Sequence, residues 1–304
     1  MTATPLSAPA PSSPSAAHPH RREAVLVFIT MLWGGTFLAV QHALQWSGPY
    51  ALVGVRFGLA AVLLALVLRG RLRCITAHEW RAGAITAVAL FFGYTLQTAG
   101  IASISSSKSA FLTALYVPMV PLVQWAWMKR RPSAAAWCGI ALAFSGTVLL
   151  ADPTALDSGF GLGELLTLLA ALAIAFEILL LARYAGGCDP VRFAFVQMTV
   201  VALLCAVVSA ARGEALPEPH PVFIALIVTL AAVSALIQFA MSWAQQVVPA
   251  TRATLIYSME PVWAGLVGAL AGERLGLLGL AGGALIVFGL VVTSRRPDTV
   301  EHPA

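Results

Sequence analysis

The sequence predicts an all-α integral membrane protein, with ten transmembrane helices arranged as two inverted five-helix repeats. Three observations carry this prediction: the composition, the apolar runs, and a correspondence between the two halves. Of 304 residues, 59% are hydrophobic and only 10% are charged, and the mean hydropathy is +0.86. A soluble domain carries roughly 25% charged residues, so this chain has too few charges to cover a water-facing surface.

The apolar runs occupy residues 24–44, 50–68, 82–100, 109–128, 134–151, 161–182, 191–210, 222–243, 253–271 and 276–293. Each approaches the roughly 20 residues that a helix needs to cross a bilayer. None has the alternation of a half-buried strand. Turn-forming residues separate several of them: Ser47-Gly48-Pro49 after the first, Asp152-Pro153 after the fifth, Gly186-Gly187-Cys188-Asp189-Pro190 after the sixth, and Pro217-Glu218-Pro219-His220-Pro221 after the seventh. Basic clusters close others: Arg69, Arg71 and Arg73 follow the second, and Lys129-Arg130-Arg131 follow the fourth.

Residues 1–23 hold Pro5, Pro9, Pro11, Pro14 and Pro19 among Ala, Ser and Thr, without the apolar core of a signal peptide. They are expected to form a disordered cytoplasmic tail. With the N-terminus cytoplasmic, fourteen Lys and Arg residues fall on the inner side. Three fall outside (Lys108, Arg212, Arg274), and Arg56 lies within a span. This bias places both termini inside and fits a bacterial-type inner (plasma) membrane. The same positions explain the net charge of +5 without nucleic acid as a partner. Four cysteines, Cys74, Cys138, Cys188 and Cys205, form no Cys-x-x-Cys pair, so neither a disulfide framework nor a zinc site is expected. Cys138 and Cys205 read as buried small hydrophobes.

The halves correspond at an offset of 143 residues. GIALAFSG at 139–146 aligns with GGALIVFG at 282–289, and Ala110, Leu112 and Pro118 align with Ala253, Leu255 and Pro261. The first repeat is placed at residues 24–151 and the second at 159–294, with a cytoplasmic tail at 295–304. Five spans per repeat invert the second relative to the first, the architecture by which many transporters alternate between two openings.

Charges within hydrocarbon are costly and need a reason. Arg56 in span 2, Glu177 in span 6 and Glu260 in span 9 are the candidates. Arg56 is suited to a substrate carboxylate, to a structural partner, or to snorkelling toward the outer interface. Glu177 is suited to a protonation or cation site, or to a structural hydrogen bond with a helix packed on Ala170 and Ala173. Lys108 and Arg252 read as interface anchors. On span 8, Ser234, Gln238, Ser242 and Gln245 form one polar stripe. Tyr94 and Gln97 share a face of span 3, Trp33 and Phe37 a face of span 1, and Tyr257 and Glu260 a face of span 9. With Tyr116, these side chains could line a central substrate cavity or make ordinary interhelical contacts. Pro118, Pro121 and Pro261 are expected to kink their spans. Gly139, Gly146, Gly282 and Gly289 are expected to permit close helix packing.

No phosphate-binding GxxxxGK[ST] motif is present. Gly159, Gly161 and Gly163 follow no strand, and no histidine lies deep in a span. No cofactor, metal or catalytic residue is expected, and an enzyme is not the reading.

The run WGGTF at 33–37, the pair Arg56-Phe57, SAFLTALYVPMVP at 109–121, MEPVWAGLVGALAGERL at 259–275 and LAGGALIVFG at 280–289 together resemble EamA-type members of the drug/metabolite transporter superfamily. The resemblance covers residues 24–294. It implies ten helices, cytoplasmic termini, and export or exchange of small metabolites such as amino acids by a secondary transporter in the lipid bilayer, with no obligatory protein partner. It also places Glu260-Pro261 in a common family motif, which favours helix geometry or gating over substrate contact for Glu260. Glu177 stands where many relatives carry an apolar or aromatic residue. Proton coupling through Glu177 would extend this reading; a sensor or channel-like membrane protein is the alternative.

Overall fold

The computed structural model describes residues 19–129, 131–150, 160–263, 266 and 277–294. Residues 1–18 and 295–304 of the expected tails, the Asp152-Pro153 break, Gly159, and the end of the ninth run with Arg274 lie outside the described residues. The helices are α1 (Pro19–Ala43), α2 (Pro49–Leu68), α3 (Ala77–Ile101), α4 (Ser106–Thr113), α5 (Tyr116–Met128), α6 (Ala134–Leu150), α7 (Leu162–Tyr184), α8 (Pro190–Arg212), α9 (Pro221–Ala244), α10 (Ala250–Tyr257) and α11 (Leu277–Ser294). No strand occurs among the described residues. Among the described residues seven helical segments are long and apolar enough to cross a membrane, and two shorter apolar helices accompany them.

The turn residues read from the sequence start the helices that follow them. Pro49, Pro190 and Pro221 sit in the first turns of α2, α8 and α9, where their missing N–H costs no helix bond. The Asp189 carboxylate accepts from the backbone N–H of Val191 and Arg192. Thr76 and Glu79 close α3 with reciprocal side chain–backbone bonds. Two starts differ from the apolar runs. α1 begins at Pro19, so the segment expected as tail contributes residues 19–23 to a helix. α3 begins at Ala77, ahead of the run at 82, because a capping box can extend a helix through polar residues.

Apolar side chains face outward along the helices, among them Phe28, Leu38, Val62, Leu66, Phe92, Leu203 and Leu236. The interior is apolar as well but also holds Arg56, Glu177, Gln197, Ser234 and Gln238, since lipid gives such polar groups no partner. Cys205 is buried as expected, but Cys138 is exposed, because its face of α6 points away from the helices that pack on α6.

The prolines do more than kink. The fourth run is divided at Ala114–Leu115 into α4 and α5, and the ninth is divided at Ser258–Met259 after α10. Pro118 and Pro261 each lack the N–H that would bond the carbonyl four residues back, at Ala114 and Tyr257. A tighter bond takes up the first carbonyl, Val117 N–H to Ala114 O at 3.0 Å; at the second break Met259 N–H makes the same kind of three-residue bond to Ile256 O at 3.0 Å, beside the freed Tyr257 carbonyl. Pro121 stays within α5.

α2 packs on α8 and α9, α3 on α7 and α8, α1 on α9 and α10, α4 on α7, and α6 on α11. The α6–α11 contact is the tightest of these at the backbone. A Cβ on Gly146 would meet Gly282 O at 2.5 Å, and one on Gly289 would meet Gly139 O at 2.6 Å. Gly35 on α1 has nothing within 4 Å of the same position. Gly146→Ala is therefore expected to lower the melting temperature in detergent, by roughly 1–3 kcal/mol of overpacking, while Gly35→Ala is neutral or slightly stabilising. Equal effects of the two would contradict the packing described.

Candidate functional site

The interior polar groups converge on α9. Ser234 and Gln238 lie one turn apart on it, roughly 6 Å along the axis. Ser234 Oγ accepts from Arg56 Nε at 2.6 Å and donates to Leu230 O at 2.6 Å. Gln238 Nε2 donates to Glu177 Oε1 at 2.9 Å. One helix thus holds a guanidinium from α2 and a carboxylate from α7 on successive turns.

Arg56 is 2% exposed and Glu177 1%. Buried this deeply, Arg56 does not snorkel, and neither residue forms an ion pair with another described residue. Its guanidinium lies over the Tyr94 ring at 5.1 Å and the Phe57 ring at 5.6 Å, contacts that stabilise a cation without neutralising it. Arg56 Nη2, Tyr94 Oη and Gln238 Oε1 are buried and make no hydrogen bond within 3.5 Å, although the Trp33 side chain lies beside Tyr94 Oη. Native interiors leave few such groups unpaired. Together they form a cluster with two donors and an acceptor to spare.

Aromatic walls surround it. Trp33 of α1 meets Tyr257 of α10 edge to face, with ring centroids 5.7 Å apart. The Tyr257 hydroxyl accepts from Gln245 Nε2 at 2.9 Å. Tyr94 lies within electrostatic reach of Arg56, Glu177 and Glu260, and Tyr116 within reach of Tyr257 and Glu260. Glu260, the first residue after the Ser258–Met259 turn, is half-buried. Both helix breaks therefore open beside this centre.

Of the residues expected to line a cavity or carry intramembrane charge, the structure brings together Trp33, Arg56, Tyr94, Tyr116, Glu177, Gln238, Tyr257 and Glu260. Three lie elsewhere. Phe37 packs in an apolar cluster with Leu52, Ile101 and Phe223. Gln97 donates to Thr113 Oγ1 at 3.1 Å, and Ser242 faces Gln197 Oε1 at 3.5 Å. Phe37 shares a face with Trp33 but sits a full turn along α1, beyond the polar centre.

Sequence reading missed Gln197, fully buried on α8 with Nε2 unpartnered. A lone glutamine within an apolar run was the available signal. It also missed Gln124, which accepts from Thr251 Oγ1 at 3.0 Å, and Trp263, whose Nε1 donates to Thr30 Oγ1 at 2.9 Å. These pairings depend on helix neighbours far apart in sequence. Lys108 and Arg252, read as interface anchors, instead form ion pairs with Glu164 and Glu23. Among the described residues no cluster could hold a metal ion.

A helical fold with a lipid-facing exterior and a charged, aromatic-walled centre belongs to a multi-pass membrane protein. The chain belongs to the EamA-like transporter family, which it matches over residues 21–151 and again over residues 161–295. It is similar to an uncharacterized transporter of Archaeoglobus fulgidus, at 28% identity over 89% of this chain and 85% of that protein. A second uncharacterized transporter of the same organism is 25% identical over 53% of this chain and 58% of its own length. A solved crystal structure superimposes with a TM-score of 0.74, covering 90% of this chain and 97% of that one at 17% identity, a likeness of fold. The chain is a membrane transporter, with a small molecule as its substrate.

Removing the Ser234 hydroxyl leaves Arg56 Nε without its acceptor. Ser234→Ala is expected to destabilise the protein by about 1–3 kcal/mol, the cost of an unsatisfied buried donor. Ser242→Ala, at the end of a 3.5 Å contact, is expected to cost less. Thermal unfolding of both variants in detergent checks the order, and the reverse order would contradict the assignment.

Proposed function

We propose that the chain is a secondary transporter that exports or exchanges small metabolites such as amino acids across a bacterial-type inner membrane, by alternating access around the Arg56–Glu177 centre. The single observation that carries this is the buried guanidinium of Arg56, uncompensated by any described carboxylate and flanked by the unpaired Tyr94 Oη and Gln238 Oε1. A buried cation of this kind gains most from an anionic partner. Arg56 Nη2 and the Tyr94 hydroxyl donate to a solute carboxylate, Gln238 Oε1 accepts from an amino or hydroxyl group beside it, and Trp33 and Tyr257 shape the wall. Glu177 either balances the solute's positive charge or carries a proton through the cycle.

Ten crossings in two inverted halves, 24–151 and 159–294, fit the contacts. If successive helices alternate direction, the starts of α1, α3, α8 and α10 share one face, and the starts of α2, α4, α7 and α9 share the other. Arg252 of α10 pairs with Glu23 of α1, and Arg192 of α8 with Glu79 of α3. On the other face Lys108 of α4 pairs with Glu164 of α7, and Glu214 accepts from the Ala51 N–H of α2. The contacts of α1 with α9 and α10 are matched by those of α7 with α3 and α4, as a two-fold inversion requires. The basic bias places the first face, with both termini, in the cytoplasm.

The test is counterflow in proteoliposomes loaded with a mixed pool of amino acids and small carboxylates, with and without a proton gradient. Saturable exchange of one class is expected, lost in Arg56→Gln. If Glu177 carries the proton, Glu177→Gln abolishes the dependence of flux on pH, and an unchanged pH profile excludes that role. Flux that does not saturate would indicate a channel instead. A folded, inserted protein that moves no member of the pool and gains no thermal stability from any of them would contradict the proposal.

A further inference from the structure

Two ion pairs outside the centre stand in matching places. Lys108 is the third residue of the eight-residue helix α4, and Arg252 is the third residue of the eight-residue helix α10. Lys108 pairs with Glu164 in the first turn of α7. Arg252 pairs with Glu23 near the start of α1, through Nε to Oε1 at 2.9 Å and Nη2 to Oε2 at 3.2 Å. Each pair therefore ties the short helix of one half of the chain to the first long helix of the other half, at opposite ends of the bundle. All four side chains are a quarter exposed or less.

These pairs differ in kind from two other carboxylate contacts between the halves. Glu79 accepts from the Asp189 backbone N–H at 3.0 Å, and Glu214 from the Ala51 backbone N–H at 2.7 Å. Those bonds cap the starts of α8 and α2, and rigid-body movement of either helix would strip a buried amide of its partner. The Lys108–Glu164 and Glu23–Arg252 pairs join the halves through side chains, while Glu164 also caps its own helix by accepting from the Gly161 N–H at 2.8 Å and Arg252 Nη1 donates to Leu290 O at 3.4 Å. Both pairs lie near helix starts, with side chains 9–24% exposed, so separating them strips no buried amide at the start of a helix in the opposite half. The helices they hold are levers on the centre: α10 ends at Tyr257 in the aromatic wall, and α4 ends at the break before Tyr116.

We propose, resting on the transporter reading above, that Glu23–Arg252 and Lys108–Glu164 are the inner and outer latches of one cycle. Opening the inner face breaks the first while the second holds, and opening the outer face does the reverse. With both latches closed and Arg56 and Glu177 buried, the present structure is an occluded state. Arg22 reinforces the inner latch, donating to Trp243 O and lying over the Trp243 ring at 4.8 Å.

Amide hydrogen–deuterium exchange of the full chain in lipid nanodiscs tests this without any solute. Glu23→Gln is expected to speed exchange in α10 and the first turns of α1 by about three- to fivefold, the population shift that loss of one such pair produces. It should also slow exchange in α4 and the first turns of α7. Lys108→Gln is expected to do the opposite on both faces. The charge-swapped variant Glu23→Arg/Arg252→Glu should restore both patterns, which separates latch loss from misfolding; Glu164, which also accepts from the Gly161 N–H, is left in place. Faster exchange confined to the substituted face in each variant would mean that the pairs are static struts, and would overturn the proposal. That result alongside intact saturable counterflow would leave the transporter reading standing. Reciprocal exchange without counterflow would keep the latches and remove the solute assignment.

Discussion

Inside a bilayer there is no water to satisfy a polar group, so every polar side chain within the span must find its partner in the protein. The structure depends on how α9 meets that constraint. Its stripe of Ser234, Gln238, Ser242 and Gln245 faces Arg56 of α2, Glu177 of α7, Gln197 of α8 and Tyr257 of α10. Four helices are thereby fixed in rotation about one. A slip of α9 by a single residue would carry its stripe about 100° away from these partners, into apolar packing.

Satisfaction is incomplete at the centre, and that is where the proposal places the solute. Arg56 Nη2, Tyr94 Oη and Gln238 Oε1 stay unpaired. The rest of the bundle compensates through close contact. Gly93 lets α3 approach α7 beside Ile174 and the Ala170 backbone, and Gly146 and Gly289 bring α6 and α11 backbone to backbone. In lipid, where apolar burial drives association weakly, such contacts and interhelical hydrogen bonds hold helices together. The proline-induced breaks then deliver Tyr257 and Glu260 to the centre from a helix that would otherwise run past it.

Most of this architecture was legible in the sequence, for a physical reason. A charge or a polar stripe in an apolar run is conspicuous because lipid forbids it, so Arg56, Glu177 and the α9 stripe stood out without any structure. Which groups meet was not legible. The Gln238–Glu177 and Ser234–Arg56 bonds depend on helix order and rotation, and Phe37 shows that sharing a helix face does not place a residue at the same depth. Paired prolines marked the right places in spans 4 and 9, but only the freed carbonyls at Ala114 and Tyr257 explain why the chain breaks there rather than bends. Lys108 and Arg252 looked like interface anchors because their acidic partners lie 56 and 229 residues away.

The account stands on the claim that the unpaired groups around Arg56 are where the solute sits. The most direct test is a cryo-EM structure of the chain in nanodiscs, saturated with the solute that exchanges fastest in counterflow. Solute density is expected between Arg56 Nη2 and Gln238 Oε1, within hydrogen-bond distance of both and against the Trp33 and Tyr257 rings. Density bound instead in the cleft lined by Ser103, Phe160 and Leu162, with the centre unchanged, would contradict it.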